Sequence, residues 1–209
     1  MKMDITFNVY EANDFCGYAN VVFDEKYALE HIQLRKNADG GLYVVTPGYT
    51  NKNNERKEFF HPVSAESRKE FDTAVIKAYN QTKSTGNRKT TVVNDLPPME
   101  ISKVNAAEYE RGMTIGLASV GFAKSYMLDG IQIKTGQNGE YLNLPKYTQP
   151  VLNQGSPVYD ENGRPKKDYR DVFKPITKEA YEELKNTVLD KFYEKSRAAE
   201  LSKERTARF

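Results

Sequence analysis

A block of sequence recurs in this chain, and the recurrence restricts the fold to something built twice. Residues 32–79 run Ile32-Gln33-Leu34-Arg35, Gly40-Gly41-Leu42-Tyr43-Val44, Pro47-Gly48-Tyr49-Thr50 and Phe60-His61-Pro62-Val63-Ser64-Ala65-Glu66, then a helical pattern to Tyr79. The order returns as Ile131-Gln132-Ile133-Lys134, Asn138-Gly139-Glu140-Tyr141-Leu142, Pro145-Lys146-Tyr147-Thr148 and Phe173-Lys174-Pro175-Ile176-Thr177-Lys178-Glu179, followed by a helical pattern through Phe192. Five signposts in one order, both prolines and the helix start included, mark a tandem duplication. A length of 209 residues accommodates two such units, each able to bury a small core. The expected domains are 1–80, a linker 81–98, a second unit 99–195 carrying an inserted loop 151–169, and a basic helical tail 196–209.

Within the first unit, Ile5, Phe7 and Val9 alternate with polar neighbours, the period of a half-buried strand. Tyr18 to Phe23 and Tyr27 to Arg35 predict two more strands, and Leu42 to Thr46 a fourth that Pro47 ends. Glu58-Phe59-Phe60 reads as a short edge strand. Ser64 is placed to cap a helix whose Phe71, Val75 and Tyr79, with Ala74 and Ala78 beside them, form one apolar stripe. The second unit repeats the plan with strands at Ile101 to Ala106, Thr114 to Phe122, Tyr126 to Lys134 and Glu140 to Leu144. Its helix is capped by Thr177 and striped by Tyr181, Leu184, Val188 and Phe192. The extra residues between Pro150 and Arg170 include Asn162-Gly163, a hairpin-turn signal. In the linker, Thr90 to Val93 has the composition of a short strand. The fold class is therefore α+β: a tandem duplication in which each unit is an antiparallel four- to five-stranded sheet followed by one C-terminal helix.

Chemistry is constrained as much by what is missing. Only His31, His61 and Cys16 are available as imidazole or thiol groups, and no Ser-His-Asp, Cys-His or metal-ligand spacing appears, so neither catalysis, cofactor nor metal is expected. His61 beside Pro62 reads as structural, and Lys174 at its counterpart agrees. Gly40-Gly41 is followed by a strand and is a turn, not a phosphate loop. A lone cysteine and the absence of any long apolar run point to a cytoplasmic protein with no membrane partner. The net charge is +2, with ten Lys/Arg against twelve Asp/Glu in residues 1–80 and eighteen against sixteen in 99–209. Neither half is a basic domain, so phosphate binding would require local clusters.

The order Ile-x-Ile/Leu-Arg/Lys, Asn/Gly-Gly-x-Tyr, Pro with a polar loop, and His-Pro-Val/Ile-Ser/Thr before a terminal helix resembles the SpoVG family, stage V sporulation or septation protein G. The likeness covers residues 4–80 and 99–195 and is closer in the first unit, through Gly40-Gly41-Leu42-Tyr43-Val44 and His61-Pro62-Val63-Ser64. It implies a small bacterial regulator that binds DNA or RNA, works as a dimer and has no enzymatic role; two copies in one chain then imply an intramolecular pseudo-dimer. The family's loop after the proline commonly carries a Lys-Arg pair facing phosphate. Here those positions hold Tyr49-Thr50 and Tyr147-Thr148.

Other residues of the same loops are candidates for that contact. Tyr49, Lys52, Arg56 and Lys57 surround the first loop, and Lys146, Tyr147, Arg164, Lys166, Lys167 and Arg170 the second, with Tyr159 and Tyr169 between them. Cations interleaved with rings suit a single-strand binder, in which charge meets phosphate and rings stack on bases. Against this, Glu55, Asp160, Glu161, Asp168 and Asp171 offset the same cations, as on an ordinary solvated loop. Lys195, Arg197, Lys203, Arg205 and Arg208 of the tail read likewise as a solvated helix face or a phosphate clamp. The alternative function is a protein-interaction module in which exposed sheet edges or the linker recruit a partner by strand addition.

Overall fold

The computed structural model describes residues 1–153 and 156–206, with side chains as far as Glu194. The first unit contributes β1 (Lys2–Ala12), β2 (Phe15–Phe23), β3 (Tyr27–Lys36), β4 (Leu42–Val45), β5 (Gly48–Thr50), β6 (Arg56–Glu58), β7 (Phe60–Pro62), α1 (Ala65–Thr85) and β8 (Lys89–Val93). The second contributes β9 (Ile101–Arg111), β10 (Thr114–Phe122), β11 (Tyr126–Gly136), β12 (Gly139–Asn143), β13 (Lys146–Pro150), β14 (Leu152–Asn153), β15 (Ser156–Pro157), β16 (Lys167–Asp171), β17 (Phe173–Pro175) and α2 (Lys178–Thr206). The fold is α+β, antiparallel throughout, with a helix closing each sheet-rich half, as the duplication predicts. The basic tail is helical in its backbone to Thr206, and the side chains of Lys195, Arg197, Lys203, Arg205 and Arg208 lie outside the described residues.

The two copies are joined by exchanging a strand. One sheet runs β17-β3-β2-β1-β8, with β4 also on β3; the other runs β12-β11-β10-β9, with β7 on β11. Thus β7 leaves its own unit to pair Phe60 with Leu128 and Pro62 with Tyr126. Reciprocally, β17 pairs Phe173 with Leu29 and Pro175 with Tyr27. The residues expected as an edge strand at Glu58–Phe60 are divided: Glu58 ends β6, and Phe60 begins the exchanged strand.

Each third strand is broken so that one edge can serve two partners. The first part of β3 takes the foreign β17, and Gln33 to Lys36 take the unit's own β4. Between them His31 sits at φ +62, and the backbone N–H of His31 donates to Asn20 Oδ1 at 3.1 Å. The equivalent break in β11 is Gly130 at φ +81, where a left-handed backbone suits a residue without Cβ.

The helices answer their capping signals. Ser64 Oγ accepts from the Ser67 N–H, and the Ser67 hydroxyl accepts from the Ser64 N–H in return, which makes a capping box. Gly86 ends α1 in the left-handed conformation. Thr177 Oγ1 accepts from the Ala180 N–H at 3.1 Å. Phe71, Ala74, Val75, Ala78 and Tyr79 of α1 are buried, as are Ala180, Leu184, Val188 and Phe192 of α2, whereas Tyr181 is only half-buried. Residues 81–98, expected as a linker, are partly structured: α1 continues to Thr85, and β8 pairs Lys89 to Val93 along β1. The alternation of Thr90 and Val92 with exposed neighbours lets that stretch lie on a sheet edge.

Six rings meet where the strands cross. Phe23, Tyr27 and Phe60 of the first unit face their counterparts Phe122, Tyr126 and Phe173, all six fully buried. Centroids lie 5.6 Å apart for Phe60–Phe173, 5.2 Å for Phe60–Tyr126, 5.3 Å for Tyr27–Phe173, 5.0 Å for Tyr27–Phe122 and 5.7 Å for Phe23–Tyr126. Rings at such spacing contribute quadrupolar attraction beyond the burial of area. No described helix is long and apolar enough to cross a membrane. Phe60→Ala is expected to cost about 3–5 kcal/mol, the usual range for emptying a ring site. Because Phe60 belongs to both halves, urea melts followed by near- and far-ultraviolet circular dichroism should still show one coincident transition; two separate transitions would contradict a shared core.

Candidate nucleic-acid interface

The exchanged strands carry their preceding loops with them, and the loops hold the predicted site residues. Pro47 stops β4, and the polar stretch after it folds as the β5–β6 hairpin, in which Tyr49 faces Lys57 and Thr50 faces Arg56. Asn51 organises the turn: its Oδ1 accepts from the N–H groups of Asn53 and Glu55, each at 2.9 Å. In the second unit, β13 pairs with β16 so that Tyr147 faces Arg170 and Pro150 faces Lys167. Within the insertion β14 pairs with β15, and a separate bridge joins Tyr159 to Pro165 around a turn in which Gly163 sits at φ +71.

The first hairpin forms one wall of a cleft of about 680 Å³ lined by Tyr49, Asn51, Arg56, Lys57, Glu58, His61, Arg68 and Asp129. Tyr49 is 44% exposed. Arg56 spends one guanidinium N–H on the Thr46 carbonyl at 2.5 Å, which fixes its stem. Lys57 lies 3.1 Å from Glu55, and Arg68 lies 2.6 Å from Glu58. Hydrogen bonds from Asn51 and Lys57 hold the Glu55 carboxyl below its ordinary range. These cations are balanced at the cleft wall, but they remain solvent-facing, where such pairs are weak and a phosphate competes readily. Lys52 is exposed at the hairpin turn.

The second hairpin gathers its residues differently. Lys146 pairs with Asp171 at 3.5 Å and Arg170 with Asp168 at 2.7 Å, a contact that lowers the Asp168 pKa. Arg164, Lys166 and Lys167 are exposed along the arm, as are Tyr159 and Tyr169 at 57% and 62%. Tyr147 is not available as a free ring: it stacks on His31 at 4.1 Å and 16°, and His31 stacks on Tyr18 at 4.5 Å. Burial pushes the His31 pKa down, so the sandwiched imidazole is favoured in its neutral form. Of the ten predicted residues, Tyr49, Arg56 and Lys57 therefore converge in one cleft, while the second-arm cations spread along a strand.

His61, Arg68 and Asp129 also line the cleft, and none of the three is in the sequence-based set, where His61 reads as structural. His61 Nε2 lies 3.1 Å from Asp129 Oδ2, a contact between the two copies created by the pairing of β7 with β11. Its counterpart is Lys174 with Glu30 at 2.6 Å. The exchange of His for Lys is thus matched by Asp for Glu, and the structural reading of His61 extends to tying the copies together. Asp129 is far from His61 in sequence, and only the strand exchange reveals it.

Residues 1–81 and 99–194 match the SpoVG family. The chain belongs to the SpoVG family. A protein from Treponema denticola that carries the name septation protein SpoVG is 34% identical over 74 residues, 35% of this chain and 78% of its own length. Same-named proteins from Archaeoglobus fulgidus, 34% identical over 65 residues, and Clostridium beijerinckii, 28% identical over 65 residues, each align with 31% of this chain and with 75% and 70% of their own lengths. Each aligned stretch is as long as one SpoVG unit, so this chain carries twice what those relatives align with. No solved structure matches.

Beneath the cleft wall, Asp72 of α1 has one carboxylate oxygen, Oδ1, buried without a hydrogen-bond partner among the described residues. Burial pushes its pKa from 3.8 up to about 6; Arg68 pulls it back and Glu58 adds to the rise. Since the folded value exceeds the unfolded one, the folded state binds the proton more tightly, and stability should increase as pH falls from above 6 toward 4. Asp72→Asn should raise stability at pH 8 by on the order of 1 kcal/mol, a figure reduced for the group's half exposure, and should remove the gain on acidification. Urea midpoints at pH 5 and pH 8 for both proteins check the sign.

Proposed function

We propose that this SpoVG-family chain is a non-enzymatic regulatory protein of the cytoplasm that binds single-stranded DNA or RNA through its post-β4 arms, chiefly the first. The observation that supports the reading is the convergence of Arg56, Lys57 and Arg68 beside the exposed ring of Tyr49 in one open cleft. Cations there meet phosphate, and the ring offers a face for a base. Tyr49-Thr50 stands where the family commonly has Lys-Arg, so the positive charge has moved along the hairpin to Lys52, Arg56 and Lys57 while the arm keeps its place. The second arm adds Lys166, Lys167 and Arg170 as further phosphate contacts. A role in septation is what the names of the relatives suggest, and a role in sporulation what the family's own name does. A protein-docking role is the second reading, because β1 carries β8 on its outer edge whereas residues 101–105 of β9 carry no strand there among the described residues.

Titrating labelled single- and double-stranded oligonucleotides by fluorescence anisotropy at 50 and 200 mM salt tests the proposal. Affinity should fall steeply with salt, and Lys52→Ala/Lys57→Ala should reduce the log–log salt slope by roughly 0.7 for each single-strand phosphate no longer neutralised. Lys166→Ala/Lys167→Ala/Arg170→Ala should weaken binding further. Absence of binding at the lower salt concentration would leave the protein-docking reading.

A further inference from the structure

The two copies place equivalent arms over equivalent sheets, and the first copy shows what fills the space between them. There the Tyr147 ring covers the His31 imidazole, which in turn covers Tyr18, a closed stack of planar groups on the outer face of the sheet. The pseudo-symmetric positions around the second sheet are Tyr49, from the first copy's arm, and Gly130 and Leu117 of the second copy. Gly130 brings no ring. The space its missing side chain leaves is taken by Phe59, whose Cδ1 would lie 3.1 Å from a Cβ built on Gly130 and whose ring meets Tyr49 at 5.0 Å. What remains is a trough of about 390 Å³ lined by Tyr49, Asn105, Ala107, Leu117, Ser119 and Gly130.

We infer that this trough receives one unpaired nucleobase of a bound single strand, beside the Phe59 ring that stands in for the His31 imidazole of the other copy. The inference rests on the proposed nucleic-acid role and assigns to it the base-binding half of the site. Two observations carry it. Tyr49 lines both the trough and the basic cleft, so a nucleotide whose base lies in the first has its phosphate beside Arg56 and Lys57 in the second. Asn105 and Ser119 stand at the trough joined only by a long 3.3 Å hydrogen bond, and both present donors and acceptors that a base edge can engage. A paired base is unavailable for such a slot, so the site selects single strands over duplex.

Leu117 is 38% exposed on the outer face, and its counterpart is Tyr18, so Leu117→Tyr fills the trough with the ring the first copy already tolerates. The full chain would be titrated with a short single strand containing 2-aminopurine, an abasic strand of the same length, and a duplex. The wild type should bind the base-bearing strand about tenfold more tightly than the abasic one, the scale of one stacked base, with quenching of the 2-aminopurine. Leu117→Tyr should bring the base-bearing strand down to the abasic level and leave the salt slope unchanged. Tyr49→Phe should retain the preference and Tyr49→Leu lose it, which keeps the test decisive even where the tyrosine substitution at 117 disturbs folding. Salt-dependent binding that ignores both the base and these substitutions would overturn the trough while leaving the nucleic-acid role standing. No binding to any strand at low salt would overturn both.

Discussion

Six buried rings, three from each copy, are the contact on which this molecule depends. Phe60 and Phe173 reach the box only because β7 and β17 have left their own sheets, and Tyr27 and Tyr126 sit on the strands that receive them. The exchange makes each half complete the other's sheet and core at once. Neither copy has a separate hydrophobic interior to fall back on, since the buried residues of both sheets and both helices form one continuous cluster.

With that centre held constant, the copies have diverged at their edges by paired exchanges. His61 with Asp129 answers Lys174 with Glu30: the partners change together and the cross-copy contact survives. Around the arms, His31 and Val172 in one place answer Gly130 and Phe59 in the other, so that each arm tyrosine finds one ring beneath it but from a different element. The first arrangement closes over its sheet face. The second leaves a trough beside a basic cleft, which is where the functional reading concentrates.

Much of the architecture was legible in the residues. Two copies, their strand periods, the Ser64 and Thr177 caps and the apolar helix stripes all follow from local patterns that act over a few residues. The candidate site was legible in part. Tyr49, Arg56 and Lys57 could be named because they share one hairpin, but their companions Arg68 and Asp129 come from α1 and from the other copy's third strand. Tyr147, a candidate for stacking on a base, is instead stacked on His31, a partner 116 positions away in the sequence.

The amino-acid order by itself determined that a sheet-and-helix unit occurs twice, because alternation, turns and caps are written in neighbouring residues. Only the tertiary structure decided that each unit lends a strand to the other, that Phe60 and Phe173 therefore meet, and that one arm lies open while its twin is sealed. The reason is physical. Two short strands such as β7 and β17 form three ladder pairs wherever an edge is available, and nothing in their own sequence says whose edge that is. The choice belongs to the buried rings, which pack fully only when both strands cross.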